Sequence, residues 1–557
     1  MTRPATTVDA LADQYFEAEV ALSPIEATGL GRDQRQDEWD DLSPTGIDQR
    51  HSLVTATLQA LQTAAAADPI DTVTIAALRE RLGLAAETAA AGADLMDISN
   101  IASGLHSIRE TLDLMPMASA ADWATIARRL SAIPAAITGW FESQFAGIEA
   151  GFRPGVRQVD ALAAQVTGWI ADDGFFADLP NRARAGGATL PAEVGDQLDT
   201  GVAVARQAYA NAATRLRDQV RPLAMAEDGV GPTRYALASR WFLGTSLDYA
   251  ATYRWGLEQV AELDERQADL CAQLRPGLSV ADTKLALDHD PAYRLDGTEA
   301  MRAWMQARAD EAIAQLDGVD FDIAEPARRI ECLIAPTHDG AIYYTEPSAD
   351  FTRPGRMWWS VPQSETSFAT WRELTTVYHE GVPGHHLQCT AALLNAAELN
   401  QWRRQGIWVS GHGEGWALYA EQLMAELGYL DDPASLLGLI DSQAMRAARV
   451  VIDLGIHCGF APPPEVGGDA WTYDKALAFF NARVANAADV ARFEITRYCG
   501  WPGQAASYKI GQRVWTDIRE QTRARQGAAF RLKNFHARAL GLGALGLDTL
   551  RTALLGD

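Results

Sequence analysis

From Tyr378 to Gln388 the chain reads YHEGVPGHHLQ, and no other stretch limits its folding so closely. The sequence around it is rich in Ala, Leu, Glu, Arg and Gln, which favour helix. Pro383 interrupts that pattern, because proline lacks a backbone donor and clashes with the preceding turn. Val382, ahead of proline, is pushed away from helical angles, and Gly384 tolerates angles that other residues avoid. A broken or bulged turn is predicted at Val382–Gly384. It falls within the densest group of histidines in the chain: His379, His385 and His386 occupy eight residues, out of ten histidines in all.

The break matters because an unbroken helix would scatter these side chains. Four residues after His379 stands Pro383, which cannot ligate a metal. His385, six residues on, would point roughly 120° away, and His386, seven on, would lie in line but about 10 Å along the axis. A break brings one of them next to His379; the spacing leaves open which. Glu414 follows 28 residues after His386, in GEGWALYAE. Imidazoles plus a distant carboxylate make an open zinc site, with three protein ligands and a position left for water. Glu380, beside a ligand histidine, is placed to take a proton from that water. The expected metal residues are His379, His385, His386 and Glu414, with one Zn²⁺ per chain and Glu380 as general base. Glu421, seven residues after Glu414, shares its helix face and reads either as a partner of a ligand histidine or as a surface carboxylate. His412 is expected at the edge of the site. The bland alternative is a set of hydrogen-bonded core histidines at a helix break.

The rest of the 557 residues sets the frame. A formal net charge of −25 argues against nucleic-acid or anionic-membrane partners, which need clustered Lys and Arg. Five cysteines without CxxC spacing argue against a disulfide framework and suit a reducing compartment. The N-terminus lacks the apolar core of a signal peptide, and no run of ~18 apolar residues suggests a membrane span. A soluble cytoplasmic protein is expected. Amphipathic periodicity predicts helices through Thr74–Leu84, Val202–Val220 and Ala300–Leu316. Ile330–Pro362 differs: β-branched and aromatic runs bounded by Pro, Gly and Asp predict two or three strands, with helix resuming at Ser367. An edge strand there would suit pairing with an extended peptide. The chain reads as one helical unit, 1–557, divisible into an N-terminal half (1–329) and a metal-site half (330–557). Neither a GxxxxGK[ST] phosphate loop nor a GxSxG nucleophile motif occurs.

HEGVPGHHLQ followed by EGWALYAEQL resembles the bacterial family called domain of unknown function 885, which is grouped by similarity with gluzincin-type peptidases. The resemblance extends through AIYYTEPSADFTRPGRMWW, RVVIDLGIHCGF and RYCGWPGQAASYKIG, about Ile330–Gly511 in all. A more distant similarity is to angiotensin-converting-enzyme-type peptidases, in the order of Glu414-Gly415-Trp416 and Arg497-Tyr498, though without HExxH spacing. The resemblance implies a mainly α, zincin-like fold with a deep cleft and a small sheet before the metal helix. It implies hydrolysis of peptides or small amides, carboxypeptidase- or dipeptidase-like. It makes His457, Tyr498 and Tyr508 candidate donors to the oxyanion, and Arg497 or Lys509 the anchor for a substrate carboxylate. A hydrolase of non-peptide amides or esters, and a non-catalytic helical binding protein, are the alternatives. Trp358, Trp359, Trp371, Trp402, Trp408 and Trp416 crowd the same region, and the sequence does not separate core from cleft among them.

Overall fold

The computed structural model describes residues 3–335, 342–362, 365–484 and 488–556. These residues form 23 α-helices and five short strands, the mainly helical architecture that the sequence predicts. The predicted segments fall within longer helices. Thr74–Leu84 belongs to Pro69–Ala91, which Asp68 caps by accepting from the Asp71 amide and Gly92 ends in the left-handed region. Val202–Val220 spans Ala192–Arg215 and a wider turn that continues it to Val220. Ala300–Leu316 lies in Thr298–Leu316.

The interior divides into two main apolar clusters. One is built within residues 98–220 with Trp39, where Ala120–Glu149 packs along Ala192–Arg215. The larger joins residues 8–82 to residues 235–555, so both sides of position 330 share it. Four helices of that cluster carry the histidine region. Thr370–Glu380 packs on Pro433–Cys458, and Ser410–Glu426 packs on Gln504–Gln526. The second contact is backbone to backbone: a Cβ on Gly415 would sit 2.5 Å from the Gly511 Cα, and one on Gly511 would sit 2.0 Å from the Gly411 carbonyl oxygen. Side chains at these positions would drive the helices apart.

The expected strand region is described except for residues 336–341. It holds a three-stranded sheet in which Gly355–Trp359 is central, parallel to Ile330–Ile334 and antiparallel to Ile342–Thr345. Its buried face includes Met357 and Trp359, with the period of two that a one-sided sheet requires. A second pairing was not expected: Ser367–Ala369 runs antiparallel to Arg294–Asp296, and helix begins only at Thr370. Three residues are too few to carry a periodicity signal, and the pairing is long-range. Among the described residues no helix is long and apolar enough to cross a membrane. All five cysteines are free thiols.

Candidate metal centre

Helix Thr370–Glu380 stops where the proline predicts, and a new helix, His385–Leu394, starts after the turn Gly381–Gly384, whose Val382–Pro383 peptide bond is cis. The turn is tight. The Gly384 amide donates to the Tyr378 carbonyl at 3.1 Å, and a Cβ on Gly384 would lie 1.9 Å from the His379 carbonyl oxygen. Only glycine fits there. A third helix holds the turn in place: the Trp416 indole N–H donates to the Pro383 carbonyl at 2.9 Å. Trp416 is fully buried and sits two residues after Glu414, so docking of the indole also sets the position of that carboxylate.

The break brings His385, not His386, to His379. The two rings stand perpendicular with centroids 4.8 Å apart. Glu414 Oε2 lies 3.3 Å from His379 Nε2 and 3.5 Å from His385 Nε2, and one ligand atom from each residue falls within 4.8 Å of the others. Tetrahedral coordination at bonds of about 2.0–2.2 Å separates ligand atoms by about 3.3–3.5 Å. The group His379, His385 and Glu414 is therefore sized to hold a metal ion. Glu414 Oε2 is buried with no hydrogen-bond donor assigned to it among the described residues, as expected of an atom whose partner is a cation.

Electrostatics agree with this geometry. Burial alone would raise the Glu414 carboxyl, yet His379 and His385 hold it well below the usual carboxylate range. Burial would lower His379, but the neighbouring carboxylates of Glu414 and Glu421 hold it up at about 10. Glu421 is the partner of His379: its Oε1 accepts from His379 Nδ1 at 2.7 Å, and its Oε2 accepts from Thr375 Oγ1 at 2.5 Å and Ser442 Oγ at 3.3 Å. Glu380 is buried beside this group, and burial raises its carboxyl, the direction suited to a base that must hold and release a proton. The Arg446 guanidinium lies within electrostatic reach of both Glu380 and Glu421.

The other expected site residues are held by partners of their own. His386 turns to the opposite side: its Nδ1 meets the Tyr344 hydroxyl at 2.9 Å and its Nε2–H donates to the Ala327 carbonyl at 3.0 Å. Both nitrogens are spent, and burial lowers its pKa to about 4. His412 pairs with Gln388 at 2.9 Å and meets Trp515 edge-on. His457 Nε2–H donates to the Tyr498 carbonyl at 2.8 Å while Nδ1 accepts from the Val230 amide at 3.4 Å, leaving no donor for an oxyanion. The Tyr498 hydroxyl donates to Glu494 at 2.5 Å and accepts from Arg449 Nε at 2.8 Å. Arg497 bonds Glu494 and Gln504, each at 3.0 Å. Lys509 bonds Gln443 at 2.7 Å and Gln512 at 2.9 Å, and burial lowers its ammonium to about 8. Tyr508 differs from these: it is half-buried, within electrostatic reach of Glu414, with Arg449 4.8 Å from its ring.

Sequence reasoning missed Thr375, Ser442 and Glu494. Thr375 sits four residues before His379, on one helix face, which is a usable signal. Ser442 and Glu494 arrive from distant helices with no such signal. The structure also separates the tryptophans. Trp371, Trp402 and Trp416 are core, Trp359 is buried in the sheet and Trp358 half-buried, while Trp408 is 54% exposed.

A candidate lipoprotein from Colwellia psychrerythraea has a similar structure, with a TM-score of 0.85 at 22% identity over 99% of this chain and 98% of that one. Another, of unknown function, from Shewanella oneidensis gives 0.73 at 16% identity over 99% and 100%. These likenesses are of fold alone. A carboxypeptidase from Pyrococcus furiosus gives only 0.36 at 11% identity, too low to carry an argument. No curated protein matches the chain. The family model described as "Bacterial protein of unknown function (DUF885)" matches residues 24–554, and the chain belongs to that family.

Proposed function

We propose that this protein is a zinc-dependent peptidase, carboxypeptidase- or dipeptidase-like, acting on peptides or small amides. The observation that carries the reading is the convergence of His379 Nε2, His385 Nε2 and Glu414 Oε2 beside the buried carboxyl of Glu380. Two imidazoles and a carboxylate are the donor set of an open zinc centre. A bound zinc ion supplies Lewis acidity, polarising a carbonyl and acidifying water. Glu380 takes the proton from the attacking water and returns it to the leaving amine. Glu421 keeps the His379 ring oriented by accepting from Nδ1. Tyr508 is the hydroxyl left to donate to the oxyanion, since His457 and Tyr498 are engaged.

Arg449 and Arg497 share one carboxylate, Glu494, at 2.8 and 3.0 Å. Two guanidiniums against one carboxylate leave a surplus positive charge, which suits attraction of a substrate carboxylate. Lys509, held by two glutamines, is less suited. Ile342–Thr345 is an edge strand of the three-stranded sheet, the position at which an extended peptide would add as a further strand. Five free thiols favour a cytoplasmic setting.

The test is metal content and peptide-library cleavage for wild type, Glu414→Ala and Glu380→Gln. About one zinc per chain is expected in wild type and Glu380→Gln, with loss in Glu414→Ala. Cleavage is expected in wild type alone, Glu380→Gln falling ~10²–10⁴-fold. Zinc with cleavage of acyl-amides or esters but not peptides would favour the non-peptide hydrolase. Failure to bind zinc after reconstitution would sink the reading and leave a helical binding protein.

A further inference from the structure

We infer that Trp408 forms the wall of a side-chain pocket beside the metal centre, selecting substrates that carry an aromatic residue next to the scissile bond. This rests on the metallopeptidase reading and names its substrate class. Trp408 is set apart from the other tryptophans of the region. Its indole is 54% exposed although both chain neighbours are covered, Val409 in the core and Ile407 packed against it. The ring stands at 53° to His385 with centroids 6.0 Å apart. It is seated rather than loose: a Cβ on Gly413 would lie 2.4 Å from the indole Cη2. Gly413 immediately precedes Glu414, so the absent side chain lets the ring lie against the helix that bears the carboxylate. One ligand histidine and the helix of the other ligand thus fix the indole, and its remaining surface stays open.

That open surface faces a cavity of about 1040 Å³, whose wall includes Trp241, Phe242, Trp408, Trp501 and Glu346. The ligand candidates themselves are not on this wall; Trp408 and Glu346 are what adjoin them, Glu346 lying within electrostatic reach of His385. Trp241 is 48% exposed, and Phe242 meets Trp501 edge-on at 5.3 Å. Large apolar side chains held open in a concave wall mark a ligand site, and an aromatic guest gains both burial and edge-to-face or offset packing. Glu346, the carboxylate of this wall within electrostatic reach of His385, already bonds the Cys389 thiol and has Arg353 within reach, so next to the metal centre the wall offers a guest aromatic surface rather than free charge. The aromatic guest is therefore favoured.

The experiment is titration calorimetry of zinc-loaded wild-type protein with the hydroxamates of phenylalanine, glycine and lysine, which share the metal-binding group and differ in side chain. Phenylalanine hydroxamate is expected to bind at least about tenfold tighter than the glycine compound. In Trp408→Ala, compared at matched zinc content, the two should bind alike because phenylalanine hydroxamate loses its advantage; Trp408→Phe should retain most of the preference. Equal binding in wild type, a preference that survives Trp408→Ala, or a preference for lysine would overturn the inference while leaving the metallopeptidase reading intact. Binding of none of the three would remove both.

Discussion

His379 Nδ1 lies 2.7 Å from Glu421 Oε1, and this bond decides which nitrogen of the ring faces Glu414. A carboxylate accepts only, so Nδ1 carries the proton, and with a metal bound Nε2 would be the nitrogen left to ligate it. Thr375 and Ser442 hold the other oxygen of Glu421. Glu421→Ala is expected to weaken zinc affinity 10–100-fold, with Thr375→Ala giving a smaller loss. Competition against a chromophoric chelator measures both. A change under about threefold for Glu421→Ala would reduce that residue to core filling.

Adjacent histidines should respond in opposite ways. His385→Ala is expected to lose zinc with little change in the stability of the metal-free protein. His386→Ala should keep about one zinc per chain yet lose ~1–3 kcal/mol, because the Ala327 carbonyl and Tyr344 hydroxyl are left without their partner. Metal analysis and denaturant unfolding of the two variants separate these outcomes, and loss of zinc in His386→Ala would contradict the assignment.

Tyr498 and Tyr508 make a second contrasting pair. The Tyr498 hydroxyl sits between Glu494 and Arg449 in a buried cluster, so Tyr498→Phe should cost ~1–3 kcal/mol of stability. Tyr508→Phe should leave the melting temperature nearly unchanged and lower kcat with little effect on KM, as loss of an oxyanion donor does. Equal kcat in Tyr508→Phe and wild type would remove that tyrosine from the mechanism.

Glu373 gives a prediction for pH. Burial, offset in part by Arg372 and reinforced by Glu365 and Asp288, pushes its carboxyl up to about 7 from 4.5. The folded protein then binds a proton that the unfolded chain releases, so this group costs stability as pH rises from about 4.5 through 7. The side chain is half-buried, which limits the effect. Glu373→Gln should stabilise by about 1 kcal/mol at pH 8 and by almost nothing at pH 4.5. Thermal melts at the two pH values test the sign, and a pH-independent effect would show that the shift is absent.

What the sequence made legible was local chemistry. Pro383 acts on its own neighbours, so the helix break could be read directly, and the small sheet followed from the aromatic runs near Trp358. The choice between His385 and His386 was not legible. It depends on where the second helix restarts, which is set by Gly384 packing on the His379 carbonyl and by the Trp416 bond. His457 and Lys509 stand in conspicuous motifs, but partners remote in sequence, Val230 and Gln443, claim their polar atoms. Exposure of Trp408 likewise follows from the shape of the assembled wall and leaves no mark in the residues beside it.

The Trp416 bond has a consequence for how such a molecule matures. The turn and the Glu414 helix are clasped by an indole and two close-packed glycines, all of them protein contacts. If zinc binds as proposed, folding and metallation are separable events, unlike the small zinc domains that stay unfolded without their ion. The amount of working protein in a cell would follow the supply of metal rather than the success of folding.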